Sequence, residues 1–370
     1  MNSRPVPFFP PNLSPKPFLA FPLTSLSATM PPPKKSPEEQ KELIGVFRAV
    51  IADEDCKYDD AVLLRFLVAR SWDVMAAKQQ FETTIQWRTA NKVDEVPVAG
   101  DGIIPCIYPV RGFKSMPDSN FDAAPGISDY VFRVCKYMGG SCLHKIDKEG
   151  CPVYIERLGY HDAKKLATFT TTDEVVNYHV ACNEFLHRVI MKECSERAGH
   201  IINKETVIFD CTNMGWHQFH MPALQFLRAI ADVDQKYYPE TMNKLYLVNS
   251  PSAFVVVWKI VKGWLDPGVI EKIHILGKDY KKVLLDQIPA ENLPSFLGGT
   301  CTCSHIGGCV PSHIAKTLPG PPEPTPEANP LVPGVYTEEL VKRSREAAKA
   351  RRANAAMEQE ITKVEAKVGA

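Results

Sequence analysis

The residue types able to do chemistry gather most densely in "CTCSHIGGCVPSH", which holds Cys301, Cys303, His305, Cys309 and His313. Thiolates and imidazoles are the ligands that zinc prefers. The spacing matches no strong finger pattern, and one short loop would have to supply every ligand. The expectation is a packed or flexible loop with no metal. "CNEFLHR" sets Cys182 six residues before Arg188, the spacing that phosphatase loops use. That stretch reads as helix interior without glycine, where no backbone amide is free to wrap a phosphate. Asp210 follows "VIF" at a strand end, where an acid caps or pairs more often than it catalyses. His179, His187 and His220 are isolated in sequence and read as structural histidines. The chain contains no G-x-G-x-x-G, no phosphate loop, no H-E-x-x-H and no G-x-S-x-G elbow. The expectation is a non-enzyme with no cofactor.

One stretch asks for a different explanation. "AFVVVWKIVKGWLDPGVI" is apolar on several faces, interrupted by Lys259, Lys262 and Gly263. It is too short to cross a bilayer, which takes about 20 apolar residues, and too greasy for an ordinary surface helix. Such an element beside a few charges suits a container better than a catalyst. The bulk numbers agree: the 370 residues are 45% apolar and 23% charged, enough for a sizeable core, and the formal net charge is zero. A neutral chain gives no reason to expect nucleic acid. Eleven scattered cysteines fit reduced thiols in the cytoplasm rather than a disulfide framework. With no spanning segment and no secretory leader, a soluble protein is expected.

The elements that must position these residues run in order along the chain. Residues 1–36 are rich in Pro, Ser and Phe and read as disordered. Residues 37–97 read as a small helical bundle: "SPEEQKELIGVFRAVI" with Pro in its first turn, then "DDAVLLRFLVAR" capped by Asp59 or Asp60 and burying Leu63, Leu64, Phe66 and Leu67. The third, "WDVMAAKQQFETTIQWR", is capped by Asp73, with Val74, Ala77, Phe81 and Ile85 at helical spacing. Residues 98–312 alternate. "YVFRVCKYMGG" and "PVYIERLG" read as strands joined by a turn-rich connector, "SCLHKIDKEGC". A long helix comes next, capped by Thr171 and Glu174 and ending at Gly199. "ETVIFDCT", "KLYLVNS" and "KIHILG" are strands with helices between them. Strands that are apolar throughout, alternating with helices, mean an α/β fold with a mostly parallel sheet. Residues 313–335 read as a Pro-rich linker and 336–370 as a charged helix.

These residues resemble a known family. "LLRFLVARSWDVMAAKQQFETTIQWR" is similar to the N-terminal helical part of the CRAL-TRIO lipid-binding family. "HKIDKEGCPVYIERLG", "VIFDCTNMG", "QKYYPETMNKLYLVNSP", "WLDPGVIEKIHILG" and "IPAENLPSFLGGTCTC" resemble its lipid-binding domain in order and spacing. The nearest branch resembles the phosphatidylinositol transfer proteins of the yeast Sec-fourteen type and their plant relatives. The resemblance implies a deep apolar pocket closed by a movable gate helix. The gate and its hinge would comprise Trp258, Lys262, Gly263, Trp264, Leu265, Asp266 and Gly268. It implies a headgroup site of Arg70, Glu240 and Lys272, with phosphatidylinositol as cargo. The family's basic residue after the arginine is Ser71 here, and its hydroxyl after "LDP" is Val269. The positions that match its phosphatidylcholine site are Glu205, Val207, Leu143 and Asn183, none with the family side chain. A second cargo would then be another lipid or hydrophobic molecule. The function implied is transfer between membranes, or presentation of lipid to a kinase, by a cytoplasmic monomer that touches membranes peripherally and transiently. The alternative is a carrier of a sterol, terpenoid or tocopherol-like ligand.

Overall fold

The computed structural model describes residues 35–52, 58–95, 109–115, 118, 137–167, 171–215, 218–252 and 254–310. The expected N-terminal disorder, the linker and the C-terminal helix lie outside them.

Three helices open the described chain. Helix α1 (Pro37–Val50) starts at a reciprocal cap, Ser36 Oγ accepting from Glu39 N and Glu39 Oε2 from Ser36 N. Asp59 caps α2 (Asp60–Ala69) and Asp73 caps α3 (Val74–Ala90). Phe47, Leu63, Phe66, Leu67, Ala77 and Phe81 form their shared core, with the Phe66 and Phe81 rings edge to face at 5.2 Å. Leu64, expected inside, is only half-buried, and Arg65 is buried in its place.

The second part is a six-stranded sheet in the order β1 (Val110–Arg111), β2 (Ser141–Ile146), β3 (Pro152–Glu156), β4 (Glu205–Asp210), β5 (Met242–Val248) and β6 (Ile273–Ile275). All neighbours run parallel except β2 and β3. The short helix α4 (Ala163–Leu166) follows β3. Then come α5 (Thr172–Phe185), a π turn (Leu186–Ile190) and α6 (Met191–Ala198), which ends at Gly199 with φ 71°. Helix α7 (Met221–Tyr237) joins β4 to β5. Helix α8 (Phe254–Val261), a 3₁₀ turn (Lys262–Trp264) and α9 (Pro267–Ile270) join β5 to β6, and α10 (Lys281–Gln287) closes the fold. Cys142, Val153, Ile155, Ile208, Tyr246 and Val248 make the core of one sheet face, covered by Tyr280, Leu284, Ile288, Leu293 and Leu297.

The reading of β2 needs correction. The strand is "SCLHKI", expected to be connector, and Tyr137–Gly140 of the expected strand is irregular; residues 130–136 lie outside the description. Ser, His and Lys disguise the segment, but Ser141, Cys142, Leu143 and His144 are all buried. The turn is confined to Asp147–Gly150, where Asp147 Oδ1 accepts from the amides of Glu149 and Cys151 at 2.9 Å each. Asp147 Oδ2 accepts from Thr206 and Gln287, tying β2 to β4 and α10. Of the expected cap on α5, Thr171 precedes the helix and accepts from Val175 N; the Glu174 side chain is outside the description.

The bundle docks on the sheet domain around one carboxylate. Glu184 of α5, only 2% exposed, accepts from both Nη atoms of Arg88 at 2.9 Å and from the Tyr238 hydroxyl at 2.7 Å. Trp87 stacks on Tyr237 at 4.0 Å, and Gln80 donates to the carbonyls of Gln235 and Lys236. Removing one partner of a buried pair strands the other charge. Glu184→Leu should therefore cost about 3–5 kcal/mol, read as a lowered urea midpoint, and Arg88→Met with Glu184→Leu should recover part of it.

Candidate functional site

Parallel strands bring side by side the residues that enter them. Lys204 precedes β4, Glu240 stands just ahead of β5, and Lys272 precedes β6. Neighbouring strands lie about 4.8 Å apart; pairing of Glu205 with Met242 sets Lys204 beside the Glu240 turn, whereas pairing of Ile273 with Leu245 starts Lys272 opposite Lys244, from where its long side chain reaches back to Glu240. Lys272 Nζ donates to Glu240 Oε2 at 2.8 Å, and Lys204 Nζ lies 3.5 Å from the same oxygen. The cluster is partly accessible and carries one excess positive charge. Glu240 itself has φ 58°, an uncommon backbone for a residue other than glycine, at the turn between α7 and β5. Its neighbour Thr241 fixes that turn by donating to the Tyr238 carbonyl at 2.9 Å.

Arg65 of α2 reaches into this turn. Its Nη1 is 3.2 Å from Thr241 Oγ1 and 2.6 Å from Nδ1 of His187, in the π turn. Burial lowers the Arg65 pKa to about 10, so the guanidinium stays charged at neutral pH. Burial, and then Arg65, hold His187 well below its ordinary value as a neutral ring. Arg70, the expected third headgroup residue, sits at the C-terminal cap of α2 and donates to the Ala69 carbonyl at 3.3 Å. Among the described residues it makes no ion pair with Glu240, whose partners are Lys272 and Lys204. The structure thus joins Glu240 to Lys272, adds Lys204, and leaves Arg70 separate. Lys204 and Arg65 escaped the sequence reading. The signal for Lys204 was its place one residue before a strand that follows the same pattern as β5 and β6. Arg65 offered only its position inside an apolar run.

The second feature is α8 together with the turn at its C-terminal end. Phe254 and Val257 are buried against Cys211 and Leu247, while Val255 is 58%, Val256 54% and Ile260 45% exposed. Lys259 and Lys262 are exposed among them. Trp258 packs partly into the cluster beneath; Trp264 and Leu265 are half-buried, and Arg228 lies over the Trp264 ring at 5.7 Å. Gln235 of α7 clamps the turn, donating to the Trp264 carbonyl at 3.1 Å and accepting from Asp266 N at 2.6 Å. Gly263 and Gly268 have no neighbour within 4 Å of an added Cβ and neither has positive φ. Glycine there supplies freedom, not a steric requirement.

A third group lies where α5 and α7 face β4. His179 Nε2 is 2.6 Å from Asp234 Oδ1, and Asn183 Nδ2 donates to the same oxygen at 3.0 Å. Burial opposes a charge on His179, but Asp234 outweighs it and the pKa is raised. Glu205 keeps some accessible surface yet is enclosed by protein. Burial first, then the Asp234 charge, push its pKa up to about 8, with His179 opposing. Two of the non-matching positions, Asn183 and Glu205, thus belong to one polar cluster. Val207 and Leu143 are buried and apolar.

The remaining candidates resolve structurally except His220, whose Nε2 is buried with no hydrogen-bond partner among the described residues. Asp210 accepts from Thr212 N, Thr212 Oγ1 and Asn249 Nδ2, and Arg157 Nε lies 3.5 Å away, so it ties the ends of β4 and β5. Cys182 is buried within α5 and Arg188 lies in the π turn, with no loop around them. His305 turns to Asp118 at 2.9 Å, while Cys301, Cys303 and Cys309 face His144 of β2. The premise that one loop must supply every ligand therefore fails. His313 lies outside the description. Among the described residues no helix is long and apolar enough to cross a membrane.

A profile of the CRAL/TRIO domain matches residues 136–299, and one of the CRAL/TRIO N-terminal domain matches residues 23–83. "Phosphatidylinositol/phosphatidylcholine transfer protein SFH9" of Arabidopsis thaliana is 35% identical over 277 residues, 74% of this chain and 43% of its own length. "SEC14 cytosolic factor" of Kluyveromyces lactis is 32% identical over 289 residues, 78% of this chain and 86% of its own length. The chain spans less than half the length of the Arabidopsis relatives SFH9, SFH7 and SFH12. The crystal structure of Sfh5 aligns over 67% of this chain at a TM-score of 0.45 and 16% identity, too distant to add to these matches.

The Glu205 shift has a sign that can be checked. Its folded pKa, about 8, exceeds the ordinary value of 4.5, so between them the folded state binds more protons than the unfolded. Its contribution favours folding below about 4.5 and is lost as pH rises through about 8. Urea titrations of lipid-free protein across that range should show falling stability, and Glu205→Gln should flatten the slope.

Proposed function

The chain belongs to the CRAL/TRIO family, and from that membership we propose that it binds a phospholipid, most specifically phosphatidylinositol, and transfers it between membranes without catalysis. The observation that carries the reading is the pairing of two features on one scaffold: a net-positive cluster near the entry edge of β4, β5 and β6, and a helix apolar on two sides that buries Phe254 and Val257 and leaves Val255, Val256 and Ile260 in water. Lys272 and Lys204 supply charge to the inositol phosphate and Glu240 accepts from inositol hydroxyls; Arg70, which stands apart from them here, swings in as a further donor when the headgroup binds. Acyl chains run between α8 and the sheet, against the half-buried faces of α5 and α7. A two-chain lipid carries tens of CH₂ groups, each costing about 0.8 kcal/mol in water, so the carrier closes over them.

Helix α8 is the gate. In this structure α8 packs on the sheet through Phe254 and Val257, and with lipid aboard those two side chains face the acyl chains instead. At a membrane, Val255, Val256 and Ile260 enter the headgroup layer, where burying each gains on the order of 1 kcal/mol or more. Lys259 and Lys262 keep their charges in the aqueous layer above. Opening breaks the two hydrogen bonds of Gln235 to the Trp264–Asp266 turn, and Gly263 and Gly268 allow the backbone to follow. The cycle needs no nucleotide, because exchange of one lipid for another keeps the pocket filled. The protein acts from the cytoplasm as a peripheral, transient membrane visitor, and the same closed form suits presentation of lipid to a kinase.

A second reading is favoured by the Glu205 cluster. The relatives' names pair phosphatidylinositol with phosphatidylcholine, but a carboxyl with a pKa near 8 is largely protonated at neutral pH and offers a hydroxyl donor. A hydroxyl-bearing hydrophobic molecule, such as a sterol, fits that group as an alternative cargo.

Extraction of labelled phosphatidylinositol from vesicles tests the headgroup assignment. Arg70→Ala and Lys272→Ala should each weaken retention about tenfold or more, since a hydrogen bond to a charged group is worth about 1.5–3 kcal/mol. Unchanged retention in both variants would withdraw phosphatidylinositol and leave the sterol-like reading.

A further inference from the structure

The loop after the last helix returns to the sheet with its thiols on the inside. Cys301, Cys303 and Cys309 are free, and their Sγ atoms and His144 Nε2 all lie within 4.8 Å of one another. Cys303 Sγ is 3.5 Å from His144 Nε2 and 3.5 Å from Cys301 Sγ. A tetrahedral ion with bonds of about 2.3 Å to sulfur and 2.0–2.1 Å to nitrogen spaces two sulfurs about 3.8 Å apart, and sulfur from nitrogen about 3.5 Å. Both 3.5 Å separations at Cys303 already stand near that spacing, and the whole set is compact enough to close on one ion. From this geometry we infer that His144, Cys301, Cys303 and Cys309 bind one structural zinc ion.

Four further observations fit that ligand set. Asn292's carbonyl lies 2.9 Å from His144 Nδ1; a carbonyl only accepts, so Nδ1 carries the proton and Nε2 presents its lone pair to the thiols. Lys145 Nζ lies 3.1 Å from Cys301 Sγ. Three thiolates around a divalent ion leave one negative charge, which this ammonium offsets. The loop is bent to bring Cys309 back: Cys303 has φ 43°, Gly307 79° and Gly308 122°, and Gly308 N donates to the Cys303 carbonyl. A left-handed non-glycine residue at a donor position is the kind of strain that binding sites retain. Buried Arg111 of β1 then holds the bend, donating to the Gly308 carbonyl from Nε and Nη2 at 3.1 and 3.0 Å.

A donor set of three sulfurs and one imidazole, all contributed by protein, is that of a closed structural zinc site, with no position left for catalysis. Zinc binding displaces three thiol protons into solvent and fastens residues 301–309 to β2, across the core that also holds α10. The staple is independent of lipid binding, so its test stands apart from the proposed function.

The experiment is metal analysis of the full chain purified under reducing conditions without chelator, followed by titration of the metal-stripped protein with zinc alone. One zinc per chain is expected. Cys303→Ser should lower zinc affinity at least about 100-fold, at or beyond the upper end of outer-shell changes, and Cys211→Ser, on another part of the sheet, should keep the ion. Because misfolding of Cys303→Ser would also lose the ion, cobalt is titrated into the stripped wild-type chain, where thiolate-to-cobalt charge-transfer bands are expected. A reduced wild-type chain that takes up neither zinc nor cobalt, a Cys303→Ser chain that keeps zinc at wild-type affinity, or a disulfide among the three cysteines in freshly purified protein would each overturn the site.

Discussion

A carboxylate with almost no access to water sits where the helical bundle meets the sheet domain, and much else depends on its neutralisation. Glu184 accepts two hydrogen bonds from Arg88 and one from Tyr238, so its charge is matched before burial costs can accumulate. The same seam carries the Trp87–Tyr237 stack and the Arg65 bond to Thr241. Through Thr241 the bundle grips the turn that presents Glu240, and so the docking of α2 and α3 and the geometry of the charged cluster are one problem. An arginine rather than a lysine at position 88 suits it, since the planar fork satisfies both carboxylate oxygens at once.

From that seam outward, topology does the rest. Three parallel strands gather Lys204, Glu240 and Lys272, although 36 and 32 residues separate them along the chain: the β4–β5 register sets Lys204 beside the Glu240 turn, and Lys272, opposite Lys244, reaches back to Glu240 with its long side chain. The crossover from β5 to β6 leaves three apolar side chains of one helix, Val255, Val256 and Ile260, in water. An amphipathic helix usually turns its apolar stripe inward; α8 is apolar on both sides and turns one of them out. Its C-terminal attachment rests on the side chain of Gln235, a fastening light enough to reverse.

The alternation of helices and parallel strands could be read from the sequence because buried strands such as "VIF" and "LYLV" are apolar without interruption, and because Ser36, Asp59 and Asp73 announce helix starts. Glu240 and Lys272 were legible through the family's motifs, and the structure brings those two together. The features that escaped were polar and long-range. Strand β2 was hidden by Ser141, His144 and Lys145; the last two find their partners, Asn292 and Cys301, 148 and 156 residues away. Arg65 was hidden among leucines because its partners, His187 and Thr241, are 122 and 176 residues away. The cysteine loop was read as self-contained for the same reason, since no local spacing reveals that distant strand β2 brings His144 beside its thiols.

The central claim is that this fold is a container for a phospholipid. It is tested most directly by native mass spectrometry of the full chain after incubation with mixed liposomes and re-isolation. The account predicts one bound lipid per chain, identified on extraction as phosphatidylinositol. A chain that leaves the vesicles with no lipid bound would contradict it.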